Sequence, residues 1–509
     1  MSKLAWPSIL ISLGVLAGCG GNSTYGPPPS QQPPPAPVNA SITVSNTQTG
    51  AFDVALSTSF QPAEWDYTFF RDFPNAITPL GNLKPNHIRL QGISQGVPQG
   101  TAGTSSEAWD FTKLDAIVQP VLGVGDHSPE FQIAKAPPFM YVSDDSSNAF
   151  NDPGFAQFAN YAKELVEYYD TGGFTDSSNN THISPGYPGE KITWWGIYNE
   201  PCINNSLTAS DYVNMYNAVV PAMQSADSSL KFVAMELCCS SEDWVTTFAQ
   251  NVTPGLPVDA VATHYSSSCD QKDTDAELFA TVPGFASSIQ TIYANLATNP
   301  ALTNVPVWIT ENNVNADFEG ANGMSNCNPG QQFVADKRGS SAFFAAWRPY
   351  VFSQVGKAGA RALYHWDFAA DAQYGELDAS TGQTQLSYWV DYWLGQTFPQ
   401  FSSGTAQLLQ STNSDDADIE ALAVSNPDGS VSILVSDHAV ASPSDNNGEG
   451  LAATVTVNTS ALGSFSSATE VMIDAGTSPI SGPSPTTIAP QSPITVTFTG
   501  YGVAFIVLK

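Results

Sequence analysis

Two hydrophobic periodicities divide the chain. Between about residues 50 and 370, short apolar runs rich in Val, Ile and aromatics recur as FDVALSTSF, NHIRLQ, EFQIAKA, KITWWGIY, KFVAMEL, VDAVATHY, VPVWITE and ARALYHW. Helical patterns lie between them. Residues 153–169 put Phe155, Phe158, Ala162, Leu165, Val166 and Tyr169 on one face, with Asp152 as N-cap and Pro153 in the first turn. Thr208 with Asp211 opens a second helix as a capping arrangement, and 332–356 carries a third long pattern. Strands apolar on both faces and alternating with helices predict a parallel sheet covered by helices. Seven or eight such units predict an α/β fold of the (β/α)8 TIM-barrel type over residues 40–398.

From residue 399 the helical period disappears. ADIEALAVSN, SVSILVSD, AATVTVN, ATEVMID, SPITVTFTG and GVAFIVLK alternate in strand period and are separated by turns such as PDG and NNGEG, which predicts a C-terminal β-sandwich over 399–509. SITVSN, ahead of the barrel, is a candidate strand of the same sandwich.

The first 39 residues carry a different message. Lys3, the apolar run Ile9 to Ala17 and LAGC ending at Cys19 have the order of an export signal with a lipidation cysteine, so 1–19 reads as a lipoprotein signal peptide. The apolar run is too short to span a bilayer. Residues 20–39 are proline-rich with almost nothing to bury, and read as an extended tether. The expectation is an exported protein held at the cell surface or in the periplasm, touching membrane only through its lipid.

Charge narrows the partners. Sixteen basic against 47 acidic residues give a net charge of −31, a field that repels phosphate backbones and excludes nucleic acid as a partner. Beyond Cys19 there are five cysteines, Cys202, Cys238, Cys239, Cys269 and Cys327, with neither a CxxC pair nor histidines at zinc-site spacing. Disulfides in an oxidising compartment follow.

Candidate chemistry sits at strand ends. KITWWGIYNEP delivers Glu200 at the tip of the fourth barrel strand, counting FDVALSTSF as the first, and VPVWITE delivers Glu311 at the tip of the seventh. Barrel enzymes place their reactive groups there. Two carboxylates facing each other across a barrel mouth are what glycosidic bond cleavage requires, one protonating the leaving oxygen while the other attacks the anomeric carbon.

NHIRLQG, WDFTKLDAI leading to EFQIAKAPPFM, WWGIYNEP, VWITENN and LYHWDFAAD, in that order, resemble the retaining glycoside hydrolases of clan A. Within the clan the chain is most similar to family 39, which contains β-xylosidases and α-L-iduronidases. The resemblance spans roughly residues 50–395 and extends to the two-domain plan. It implies a carbohydrate substrate, no metal or organic cofactor, Glu200 as general acid/base and Glu311 as nucleophile. Asn199 would hydrogen-bond the hydroxyl beside the reacting carbon, Arg89 would keep Glu311 ionised, and Trp366 would offer an aromatic face to a sugar ring. His264 or Tyr265 would complete the hydrogen-bond network.

Departures from the family are local. Gln91-Gly92 stands where similar enzymes read His-Gly, so a sugar-hydroxyl contact falls to Gln91. His264 and Tyr265 are adjacent instead of two apart, and neighbours on a strand point to opposite faces. Tyr198 replaces the tryptophan common before Asn-Glu-Pro, and Cys202 follows the proline. These changes motivate one alternative, a carbohydrate-binding surface lipoprotein that keeps the barrel without turnover. Trp194 and Trp195 read as packing, Glu376 as a surface-loop carboxylate, and His127 and His365 as satisfied polar groups; Asp126 beside His127 is too little for a metal site. In the barrel the five cysteines fall just past strands four to seven. The expected bonds join Cys202 to Cys238 or Cys239, and Cys269 to Cys327.

Overall fold

The computed structural model describes residues 36–509 except 61–66, 93–95, 101–107, 125–127, 143–148, 204–206 and 239–241. The lipidation candidate Cys19, Cys239 and the Asp126–His127 pair lie outside the described residues. Pro37–Lys509 is one compact unit. No helix among the described residues is long and apolar enough to cross a membrane.

Eight parallel strands close into a barrel: Ala55–Phe60, Ile88–Gln91, Glu130–Ile133, Trp194–Ile197, Lys231–Leu237, Ala260–Ser268, Val307–Asn315 and Ala362–His365, the last pairing back onto the first. We number them one to eight in that order. Each is followed by a helix, from Ile77–Leu83 after strand one to Leu386–Thr397 after strand eight. The near-continuous burial of the strands follows from having two faces to cover. Ile88, Leu90, Phe131, Ile133, Val307, Ile309 and Leu363 face the helices in the large outer core. Their neighbours point into the barrel, where Trp194, Val233, Ala260, Ala262, Trp308, Ala362 and Tyr364 form a separate apolar cluster. The rings of Trp194 and Trp308 lie 4.5 Å apart there, and His87 packs 4.7 Å from Trp308. Trp195 faces outward and is wholly buried.

The remaining strands build a nine-stranded sheet ordered Thr486–Ile488, Ala468–Asp474, Gly502–Leu508, Val431–Asp437, Ile419–Ser425, Ala406–Asn413, Val38–Phe52, Ala453–Asn458 and Ile494–Phe498. It forms the β-sandwich domain. One face carries its own core around Ile42, Val44, Ile433, Val455 and Ile506. Leu422, Leu434, Val471, Val503 and Phe505 on the other face join the barrel core. The salt bridge from Lys357 to Glu420 crosses the same junction at 2.5 Å.

Three boundaries differ from the sequence reading. Val38–Phe52 pairs antiparallel with Ala406–Asn413 and parallel with Ala453–Asn458, so it belongs to the sandwich and the barrel begins at Ala55 instead of residue 40. The helix expected from 153 starts at Ala156, because Asp152 turns back to accept from the N–H groups of Gly154 and Gln157. The pattern at 332–356 becomes helical only at Ala342, where Ser341 accepts from the Phe343 N–H as N-cap. Thr208 and Asp211 do form a reciprocal capping box.

Candidate active site

The C-terminal ends of the strands surround a cavity of about 1050 Å³ lined by, among others, Gln91, Asn199, Glu200, His264, Glu311 and Trp366. Strand four ends at Ile197, and Tyr198 and Glu200 beyond it take left-handed conformations, with φ of 66° and 44°. That turn carries the Glu200 carboxylate over the mouth. Glu311 reaches the same space from strand seven, past a register shift between Ile309 and Glu311. A carboxylate oxygen of each and a ring nitrogen of His264 all lie within 4.8 Å of one another. The two side chains keep 24% and 17% of their surface exposed, enough to meet a ligand.

Below them lies a buried polar layer. On strand two, period-two alternation turns Arg89 and Gln91 inward while Ile88 and Leu90 face the helices. Arg89 Nη1 donates to Oε1 of Glu311 at 3.0 Å, and Nη2 donates to Asn199 Oδ1 at 3.1 Å and to Glu236 Oε2 at 3.2 Å. Gln91 donates to the same Glu311 oxygen at 3.2 Å and accepts from the Trp366 indole at 3.3 Å. Gln91 thus links the strand-seven carboxylate to the tryptophan. Gln132 Nε2 donates to Asn199 Oδ1 at 2.8 Å, so two donors fix that amide's carbonyl toward the barrel interior. Trp366 is held from strand seven by Asn313, which donates to its carbonyl at 2.6 Å.

His264 sits among three carboxylates. Its Nδ1 lies 2.9 Å from Glu200 Oε1 and 3.4 Å from Glu311 Oε2, and its Nε2 lies 3.4 Å from Glu236 Oε2. Burial alone would lower the imidazole, but Glu311, Glu200 and Glu236 together push it up to about 10. Burial raises Glu311 above its ordinary value, and the His264 and Arg89 charges restrain the rise. Glu236 is also pushed up by burial, yet Arg89, His264 and the Thr310 hydroxyl hold it below the usual carboxylate range.

Tyr265 borders the cavity, but its phenol turns away from this polar layer. Its hydroxyl bonds Ser267 and Thr281 at 2.9 and 2.8 Å and its ring stacks 4.0 Å from Phe285, because the adjacent His264 takes the inward face and the strand period sends Tyr265 to the helix layer. Glu376 is not a surface carboxylate either. It is 1% exposed, bonded to Thr58 at 2.6 Å, and carried well above the ordinary range by burial. With His365 and Asp391 it forms the second cluster of potential ligand groups, but His365 spends both ring nitrogens on Asp391 and the Tyr374 carbonyl. In the first cluster His264 turns Nδ1 toward Glu200 and Glu311 and Nε2 toward Glu236.

Disulfides Cys202–Cys238 and Cys269–Cys327 tie the segments past strands four and five, and six and seven. Cys238 and Cys269 border the cavity.

Glu130, Gln132, Glu236 and Thr310 escaped the sequence reading. The signal was present for two of them: EFQI alternates Glu130 and Gln132 with Phe131 and Ile133 in a strand with no solvent face.

No protein-family model and no curated protein matches the chain. Solved structures do resemble it. The GH39 enzyme from Xanthomonas axonopodis pv. citri superposes with a TM-score of 0.60 at 12% identity, covering 95% of this chain and 99% of the other. A monomeric β-xylosidase from Caulobacter crescentus CB15 gives 0.59 at 14% identity over 93% and 99%, and a GH30 endoxylanase from Clostridium papyrosolvens C71 gives 0.56 at 13% over 92% and 100%. The chain therefore shares, over nearly its whole described length, the barrel-and-sandwich fold of solved glycoside hydrolases of these families.

Proposed function

We propose that the protein is a retaining glycoside hydrolase acting on oligosaccharide or polysaccharide fragments, exported and anchored through a lipid on Cys19. The spacing of Glu200 and Glu311 carries this reading. Carboxylate oxygens within 4.8 Å lie nearer to the roughly 5 to 5.5 Å separation that direct attack on the anomeric carbon needs than to the roughly 6.5 Å or more that an inverting enzyme keeps for its water. The names of the structural neighbours, among them a β-xylosidase and an endoxylanase, support a glycan substrate.

The roles follow from the hydrogen bonds. Arg89 and Gln91 hold Oε1 of Glu311, so Oε2 is the attacking oxygen. Glu200 Oε1 meets His264, and Oε2 carries the transferable proton. In the first step Glu311 bonds to the anomeric carbon, the glycosidic C–O bond breaks, and Glu200 gives its proton to the leaving oxygen. In the second, water attacks the same carbon, Glu200 takes its proton, and Glu311 is released. Asn199 and Trp366 would orient the sugar.

A panel of chromogenic xylosides, glucosides and arabinofuranosides, followed by NMR of the first-formed anomer, tests the reading. Retained configuration is expected, with hydrolysis abolished in Glu311→Ala. Glu200→Ala should recover turnover of substrates with good leaving groups when azide is added. Inverted product would overturn the retaining mechanism, and a wild type that binds glycans yet cleaves none would replace the hydrolase with the non-catalytic binder.

A further inference from the structure

Two carboxyl groups beneath the catalytic pair have no assigned part. Glu130 on strand three and Glu236 on strand five are both wholly buried. Glu130 Oε2 accepts from the Tyr364 hydroxyl at 2.7 Å, and Glu236 Oε2 is occupied by Arg89, Thr310 and His264. The other oxygen of each, Oε1, is sealed from solvent and meets no donor among the described residues. Two buried acceptors that lack donors are costly when apart. Here burial raises Glu130 well above its ordinary value, and the Glu236 carboxyl raises it further through its charge and a side-chain hydrogen bond.

The backbone is arranged to bring them together. Strand four runs between strands three and five, and its residue at this level is Gly196. A Cβ on Gly196 would fall 2.6 Å from Glu236 Oε1 and 2.9 Å from Gln132 Cγ, so the missing side chain is the opening through which Glu236 reaches across. Met235 and Glu236 also take φ of 82° and 40° at a register break between Ala234 and Leu237. Non-glycine residues hold such conformations only where their surroundings fix them.

Resting on the retaining-hydrolase reading above, we infer that Glu130 and Glu236 share a single proton, and that the charge remaining on Glu236 makes it a positioning residue. It anchors Arg89 and holds His264 as a cation whose Nδ1–H is presented to Glu200 and Glu311. Charge balance points the same way. With the shared proton in place and Glu200 protonated for the first step, the cations Arg89 and His264 face the anions Glu236 and Glu311. Four ionised carboxylates against the same two cations would leave a net negative charge in a buried volume. The charged groups facing His264 are Glu200, Glu236 and Glu311; Arg89 bonds two of these from strand two.

The first test needs no substrate. Imidazole nitrogen NMR of the wild-type protein, with the His264 signal assigned by its loss in His264→Asn, should show both ring nitrogens protonated at pH 8. A His264 that titrates in the ordinary histidine range overturns the inference. Activity gives a second arm on whichever glycoside the wild type cleaves. Glu236→Gln should lower kcat about 10- to 100-fold with a smaller change in KM. Glu130→Ala should lower kcat too, and Glu130→Gln should restore much of that loss, since its amide supplies the donor that the shared proton provided. Equal activity of the Ala and Gln variants at 130, or unchanged kcat in Glu236→Gln, overturns it. A wild type inactive on every glycoside would defeat the hydrolase reading alone, leaving the NMR result to decide the pair.

Discussion

Arg89→Met removes a fully buried cation that bonds both Glu236 and Glu311, and it should destabilise the fold by about 3–5 kcal/mol at pH 7. The guanidinium is fully buried, 3.2 Å from one carboxylate and 3.0 Å from the other. At an effective dielectric of about 20, each pair is worth about 5 kcal/mol before desolvation is counted. Methionine matches the stem's volume and recovers the desolvation of the cation, which offsets about half of that sum. The deficit should also depend on pH. Glu236 is held below its ordinary value, so in the wild type it contributes stability above pH 4.5 that is lost as pH falls through its folded value. Without Arg89, burial dominates and Glu236 protonates more readily in the folded state, so the variant regains stability as pH falls. The gap should therefore narrow from pH 7 to pH 4. Urea denaturation of both proteins at the two pH values measures it. A gap under about 1 kcal/mol at pH 7, or one equal at both pH values, would refute the view that Arg89 compensates buried charge.

Gly196→Ala should cost about 1–3 kcal/mol and reduce kcat, because its Cβ meets Glu236 and the Gln132 stem inside a filled barrel; thermal denaturation and steady-state kinetics report both. Burial raises Glu311, whose ionised form is the proposed nucleophile, so the acid limb of kcat/KM should lie above pH 4.5, measurable on any cleaved substrate. Reducing Cys202–Cys238 and Cys269–Cys327, which close loops with separations of 36 and 58 residues, should lower stability by up to about 4 kcal/mol each from loop entropy. Melting with and without reductant checks it.

Most of the barrel was legible because its strands are buried on both faces and therefore uniformly apolar, and the sandwich because its strands alternate. Glu200 and Glu311 stood out as carboxylates ending such runs. KFVAMEL ends the same way, yet Glu236 was passed over: whether a residue near a strand end turns in or out depends on the local break after Ala234, which period-two counting cannot supply. Glu376 follows strand eight in a segment that reads as loop, and only the return of that segment over Thr58 buries it. Adjacent His264 and Tyr265 did carry a usable signal, since opposite faces allow one of them inside. Which one is decided by tertiary context: Ser267, Thr281 and Phe285 give the phenol a complete environment outside the barrel.

The strain in the site is concentrated on two neighbouring strands. Tyr198 and Glu200 beyond strand four, and Met235 and Glu236 in strand five, all have positive φ, at about 1–3 kcal/mol each. They support one another: the Glu200 N–H donates to the Glu236 carbonyl at 3.0 Å, so the turn that raises the acid/base candidate rests on the bulge that turns the deeper carboxylate inward. Immediately beyond, Cys202 and Cys238 bond the same two segments, and the Cys238 N–H donates to Cys202 Sγ at 3.2 Å. One side of the mouth is thus a cross-braced pair of distorted strand ends. Strand seven presents Glu311 without a left-handed residue, and its orientation comes from Arg89 and Gln91 instead. Glu200 is therefore placed chiefly by backbone geometry and Glu311 by side-chain donors.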